Sequence, residues 1–223
     1  TTTQSGNVAI GVEALENNTA NENVAVGKQA LNDNTSGSGN TSIGSFSLAK
    51  NTTGNNNIAV GASAGAAITT GSSNTVVGQN ALQATTTASN NTAIGLNSLY
   101  TNTTGATNVA VGKDSMLLNT TGAQNVAVGN LALQSASTSS NSTAIGFQAL
   151  LNNNASNNTA VGRDSLKANT SGVSNVAMGK CSLFANTSAA NNTAVGTQSL
   201  CANTTGTPNT AMGFQSLSSN TTG

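Results

Sequence analysis

The chain has 223 residues, with six Lys and Arg balanced by six Asp and Glu, and it contains no His. Asn, Thr and Ser fill 36, 34 and 27 positions, aromatics make up 2%, and charged residues make up 5% against a usual share of about 25%. These figures exclude His-based catalysis and His-containing zinc sites, remove the electrostatic footing for nucleic acid or an anionic membrane, and leave no run near the ~18 apolar residues of a membrane span.

The first patterned element is Asn7-Val8-Ala9-Ile10-Gly11. The same phrase, Asn-(Thr/Val/Ile)-Ala-(Val/Ile/Met)-Gly, then ends at Gly27, Gly44, Gly61, Gly78, Gly95, Gly112, Gly129, Gly146, Gly162, Gly179, Gly196 and Gly213. The step is 17 residues in ten of twelve cases and 16 in the other two. Each phrase predicts a short β-strand closed by a turn, since branched residues are bounded by Asn and Gly.

Aligning the copies on this Gly separates fixed positions from free ones. Four before it stands Asn, with Ser142 the exception, and two before it stands Ala, except at Ser42 and Val76. The residue just before it is Val, Ile or Met throughout. Four after it stands Leu, except at Gly65 and Met116, preceded always by Ala or Ser. A second phrase, Asn-Thr-(Thr/Ser)-Gly, follows, as at Asn51 to Gly54 and Asn119 to Gly122. Every charged residue lies one, two, five, six or eleven places after the Gly, and the aromatics Phe46, Tyr100, Phe147, Phe184 and Phe214 also occupy such positions. These free positions are expected to face solvent, leaving a small aliphatic core.

Helices are excluded because each unit carries helix-breaking Gly and Asn-Thr phrases, and the apolar spacing never sustains 3.6. Seventeen residues is too short for a propeller blade or a helix pair but suits one coil of a solenoid. The predicted fold is therefore all-β: a parallel β-solenoid (β-roll) of thirteen ~17-residue coils, forming a single repetitive domain over 1–223. Stacking would turn the Asn column into an amide ladder at a turn, place Leu inside, and let the Thr columns exchange hydroxyl hydrogen bonds between coils.

Side chains alternate across a strand, so the Thr/Val and Val/Ile columns share one face and Ala takes the other. Neither face carries a charge. One is expected to line the interior and the other to meet a second surface, either a sister subunit or an ordered non-protein lattice. Periodicity alone leaves open which face points inward. The candidate flat interaction face comprises Thr92, Ile94, Val109, Val111, Val126, Val128, Thr143, Ile145, Thr159, Val161, Thr193 and Val195.

The phrases Asn91-Thr92-Ala93-Ile94-Gly95 with Ser98, and Asn108-Val109-Ala110-Val111-Gly112 with Ser115, resemble the head repeats of YadA-type trimeric autotransporter adhesins. The unit is also similar to the Asn-Thr-Ala-x-Gly-x-x-(Ala/Ser)-Leu repeats of phage tail-fibre-like and bacterial surface proteins. The resemblance covers essentially the whole chain. It implies a left-handed β-roll, three chains side by side, and an extracellular adhesive or spacer role in a secreted, cell-surface or virion fibre.

Little else points to chemistry. Cys181 and Cys201 lie 20 residues apart at different coil positions, so no stacked disulfide is expected. Lys113-Asp114 and Arg163-Asp164 read as solvated charges pointing apart. Gly65 stands where Leu is expected, and Ile68 is placed to refill that core layer. Sequons such as Asn51, Asn102, Asn119 and Asn203 coincide with the turn phrase. The exposed aromatics offer contacts to sugars but share no one column. No acidic pair shares a coil face and no insertion forms a pocket, so an enzyme is not expected, nor a cofactor or metal. Two functional readings remain: a structural or adhesive fibre segment packed as a homotrimer, and an ice-binding (antifreeze) solenoid using the flat Thr/Val array. The expected partner is a further copy of the chain, in a homotrimer or end to end. A host surface or glycan is an additional partner for a fibre, and an ice surface is the partner in the alternative. Neither nucleic acid nor membrane insertion is expected.

Overall fold

The computed structural model describes residues 4–223 and is all-β, a parallel β-solenoid in which each repeat forms one coil. Thirteen three-residue strands follow one another at the predicted phrases: β1 (Val8–Ile10), β2 (Val24–Val26), β3 (Thr41–Ile43), β4 (Ile58–Val60), β5 (Thr75–Val77), β6 (Thr92–Ile94), β7 (Val109–Val111), β8 (Val126–Val128), β9 (Thr143–Ile145), β10 (Thr159–Val161), β11 (Val176–Met178), β12 (Thr193–Val195) and β13 (Thr210–Met212). The chain divides into two compact units, Thr1–Asn108 with β1 to β6 and Val109–Gly223 with β7 to β13.

Within each unit every strand pairs in parallel with the next, and like positions stand over one another. In the first unit Ala25 pairs with Ser42 and Ser42 with Ala59; in the second Thr143 pairs with Thr159 and Thr159 with Val176. Pairing continues past the strands, where the Leu31 N–H donates to the Ser47 carbonyl at 3.0 Å and the Leu133 N–H to the Ala149 carbonyl at 2.9 Å. A three-residue strand is therefore only part of a longer stacked ribbon.

The Ala column points inward and the branched columns point outward. Ala25, Ala59, Ala93, Ala110, Ala144 and Ala194 are all fully buried, while their neighbours on the strand are partly or fully exposed. The opposite wall is the Ala/Ser column three after the Gly. Its closeness is visible at Ser42, whose hydroxyl donates to the Ser47 carbonyl at 2.8 Å and also meets the Ser47 hydroxyl. Two walls that a serine can bridge leave no room for a general column of Val or Ile between them.

The rest of the interior is one Leu per coil and two columns of buried Asn. Leu48, Leu82, Leu99, Leu133, Leu150 and Leu200 are fully buried, with φ of +47° to +52° at all six. Left-handed backbone costs an L-residue roughly 1–2 kcal/mol, and burying a Leu side chain contributes roughly 1.5–3 kcal/mol. The tight corner is thus held where a large apolar group is removed from water.

The amide ladder exists, but buried within the coil. In the column four before the Gly, the Asn40 N–H donates to Asn23 Oδ1 at 2.9 Å, the Asn57 N–H to Asn40 Oδ1 at 2.9 Å, and the Asn192 N–H to Asn175 Oδ1 at 3.0 Å. Their Nδ2 groups reach the carbonyl of the turn residue in the same repeat, as Asn23 does to Gly37 at 2.8 Å. In the second column, seven after the Gly, Asn51 Nδ2 donates to Asn34 Oδ1 at 2.8 Å and to the Gly54 carbonyl at 3.0 Å. Buried amides are thereby paired at nearly every layer, which their desolvation demands. The Thr columns also bond between coils, but each hydroxyl donates to a backbone carbonyl: Thr52 to Thr69 at 3.1 Å, Thr120 to Ser137 at 2.9 Å, Thr170 to Thr187 at 3.0 Å.

Two departures from the repeat fall in one coil. Gly65 replaces Leu and Ile68 replaces Asn; a Cβ on Gly65 would stand 2.9 Å from Ile68 Cδ1, and Ile68 is fully buried. Ile68 does refill the missing layer. It carries no donor, and Asn51 Oδ1 is left buried without a hydrogen-bond partner.

The expectation of solvated, divergent charges fails at Asp164. This residue is only 7% exposed, and its carboxylate meets Arg163 Nε at 3.0 Å and Lys167 Nζ at 3.2 Å. Strand alternation does not apply because the pair lies in the turn after the Gly, where Asp164 has φ of +58°. Lys113 and Asp114 occupy the same turn and approach to 3.9 Å. Cys181 and Cys201 are free thiols. Burial, with a smaller contribution from Cys181, pushes the Cys201 thiol above its ordinary range.

The candidate interaction face

The outward strand face is built from two columns. The column just before the Gly is wholly apolar: Ile10, Val26, Ile43, Val60, Val77 and Ile94 in the first unit, and Val111, Val128, Ile145, Val161, Met178, Val195 and Met212 in the second. The column two residues earlier mixes Thr with Val and Ile, as at Thr75 and Thr92, or Val109, Val126 and Thr143. Ile58, Ile94, Ile145 and Met178 are among the most exposed large apolar side chains of the molecule, Ile145 at 39%.

All twelve residues of the candidate face lie outward and are at least partly exposed. In the second unit, Val109, Val111, Val126, Val128, Thr143, Ile145, Thr159, Val161, Thr193 and Val195 stand on stacked strands in register. In the first unit, Thr92 and Ile94 stand beside Thr75 and Val77. The structure extends the face to Val176, Met178, Thr210 and Met212 in the second unit, and to the equivalent residues of β1 to β5 in the first. The repeat phrase itself is the signal for these additional members, since they occupy the same two columns.

The face has no charged member in either column. At the ~4.8 Å spacing of paired strands it repeats once per coil. Each strand offers the same two outward side chains, one always apolar and the other apolar or a threonine with its methyl and hydroxyl. Exposed apolar stripes of this continuity mark interaction surfaces. Chemically the arrangement can bury itself against another flat repeating surface; it holds no nucleophile, acid or base.

These four turn-phrase sequons provide no modification site in the folded coil. Asn51, Asn102, Asn119 and Asn203 are fully buried, and the Nδ2 of each donates to the carbonyl of the following turn glycine at 3.0 or 3.1 Å. Among the described residues, no group of three or more His, Cys, Asp or Glu is placed to hold a metal ion, and no helix is long and apolar enough to cross a membrane. No family model, curated protein or solved structure matches the chain.

Proposed function

We propose that the chain is a structural or adhesive segment of an extracellular fibre, on a cell surface or a virion, packed as a homotrimer through the outward strand face. The observation that carries this reading is the column Val111, Val128, Ile145, Val161, Met178 and Val195: six consecutive apolar side chains directed to solvent, with no charge beside them on the strands. A second copy of this chain has the same coil pitch and the same uncharged columns, so it can match the face coil for coil. A partner of different repeat would fall out of step after a few layers. The resemblance to trimeric adhesin repeats points the same way, and self-association hides apolar surface that a lone chain leaves wet.

Analytical ultracentrifugation tests the proposal. A species near three times the 21.7 kDa chain mass is expected, and Ile145→Lys, in the middle of the second unit's face, should convert it to monomer with its strand content unchanged. A stable monomer at high concentration overturns the reading. The outward Thr residues at Thr143, Thr159 and Thr193 support the alternative of an ice-binding face; a monomer that shows thermal hysteresis, lost on Thr159→Lys, would establish it instead.

A further inference from the structure

We propose that a notch beside Phe46 is a binding subsite for a neutral pyranose ring, on a side of the coil separate from the strand face. The notch is a cavity of ≈ 450 Å³ in the first unit, within the range of about 300–1,000 Å³ usual for small-molecule sites. It exists because three successive coils carry alanine at position five or six after the Gly, and the middle coil at both. Ala49, Ala66, Ala67 and Ala84 line its floor. The flanking coils have Asn32 and Asp33 on one side and Tyr100 and Thr101 on the other, which bound the gap. The middle coil is the one in which Gly65 and Ile68 replace Leu and Asn, so this paired exchange occurs where the molecule opens.

The lining has the distribution of polarity that a sugar ring requires. The floor is methyl groups, and Phe46, 39% exposed, supplies an aromatic surface at one side. Lys28 lies 5.6 Å from the centroid of that ring, which fixes the ring by a cation–π contact. Polar groups enter at the margins, from Lys50 and Gln83. The Lys50 ammonium is 2.9 Å from the Asp33 carboxylate, so this margin presents donors and acceptors with little net charge. An anionic ligand would have to compete with Asp33. A wholly apolar one would strip water from the ion pair and the Gln83 amide without replacing it. A neutral pyranose meets both demands, with C–H groups toward Phe46 and the alanines and hydroxyls toward Lys50, Asp33 and Gln83.

Titration of the ¹⁵N-labelled full chain with maltose and with cellobiose, followed by amide chemical shifts, tests the subsite, with sialyllactose as the charged comparison. Saturable shifts at Ala49, Ala66, Ala67 and Ala84 are expected with at least one neutral disaccharide. Phe46→Gln should weaken them at least tenfold, and the coil already accepts Gln at the equivalent position, Gln148. Ala67→Leu should do the same by filling the notch, since Leu118 stands at the equivalent position after Gly112. Absence of saturable shifts with both neutral sugars, shifts that survive both substitutions, or tighter binding of the sialylated sugar would each overturn the proposal. Ile145→Lys should leave the shifts intact, so failure of the trimer reading and failure of this one are separable.

Discussion

The irregular coil gives the sharpest test of how the core is assembled. Gly65→Leu alone places a side chain whose Cβ is already 2.9 Å from Ile68 Cδ1 and 3.1 Å from Leu48 Cδ2. Overpacking of this kind costs roughly 1–3 kcal/mol. Ile68→Asn alone empties the layer that Ile68 fills, at roughly 2–4 kcal/mol for a large buried aliphatic side chain, offset by about 1 kcal/mol from a new bond to Asn51 Oδ1. Together the two changes restore the consensus. Leu at 65 fits the backbone, because Gly65 has φ of +59° and Leu48 and Leu82 hold +47° and +49° at the same position. Asn at 68 satisfies Asn51 and rejoins the ladder toward Gly71. The double variant should therefore be within about 1 kcal/mol of the parent or more stable, with a coupling energy of about 3 kcal/mol. Because a solenoid need not unfold in one step, the reading should be local: hydrogen exchange of amides in residues 47–75, which reports the opening free energy of these coils. A double variant as destabilised as the sum of the singles would refute the claim that Gly65 and Ile68 are one compensated exchange.

Other perturbations probe the corners and the thiols. Gly112 has φ of +135°, and a Cβ there would lie 2.6 Å from the Gly129 carbonyl; Gly112→Ala should cost roughly 3 kcal/mol or more through combined strain and backbone collision, seen as lost exchange protection around β7 and β8. Thr107 is a β-branched residue at φ of +60°, where other coils place Asn, as at Asn90 and Asn141. Thr107→Asn should thus stabilise by roughly 0.5–1 kcal/mol, read as a higher midpoint in urea. With its thiol held above the ordinary range by burial and by Cys181, Cys201 should alkylate more slowly than a cysteine in an unfolded peptide at pH 8. The two rates should converge as pH rises through the shifted value, because the thiolate is the nucleophile; intact-mass kinetics on Cys181→Ser isolates this site, and a rate equal to the peptide's at pH 8 would contradict it.

The fold was readable from the repeat because stacking converts sequence period directly into columns. Thirteen phrases predict thirteen strands, and Asn, Gly, Leu and Thr fall at the positions their chemistry suits. Local turn geometry was less accessible. The pairing of Arg163 with Asp164 depends on a left-handed residue that no dipeptide pattern announces, and strand alternation does not hold in a turn. The notch beside Phe46 was hidden for a different reason. It arises from alanines at one or both of two neighbouring free positions in three consecutive copies, a signal that emerges only once the coils are stacked and the missing volume adds up.

The direction of the strand is the most instructive gap, and it follows from size rather than polarity. Ordinary hydrophobic patterning places the larger apolar residues inside, which here would bury Val and Ile and expose Ala. Ser42 and Ser47 show the two walls of the coil within hydroxyl reach, and that separation favours small side chains, with the fully buried Val76 the exception in the column. Leu, from its corner, and the Asn ladders fill the remaining section. Branched residues are thus kept out of most layers of this column by geometry, and both the exposed apolar face and the buried amides are consequences of the same narrowness. A coil wide enough to bury its valines would have no such face to offer a partner.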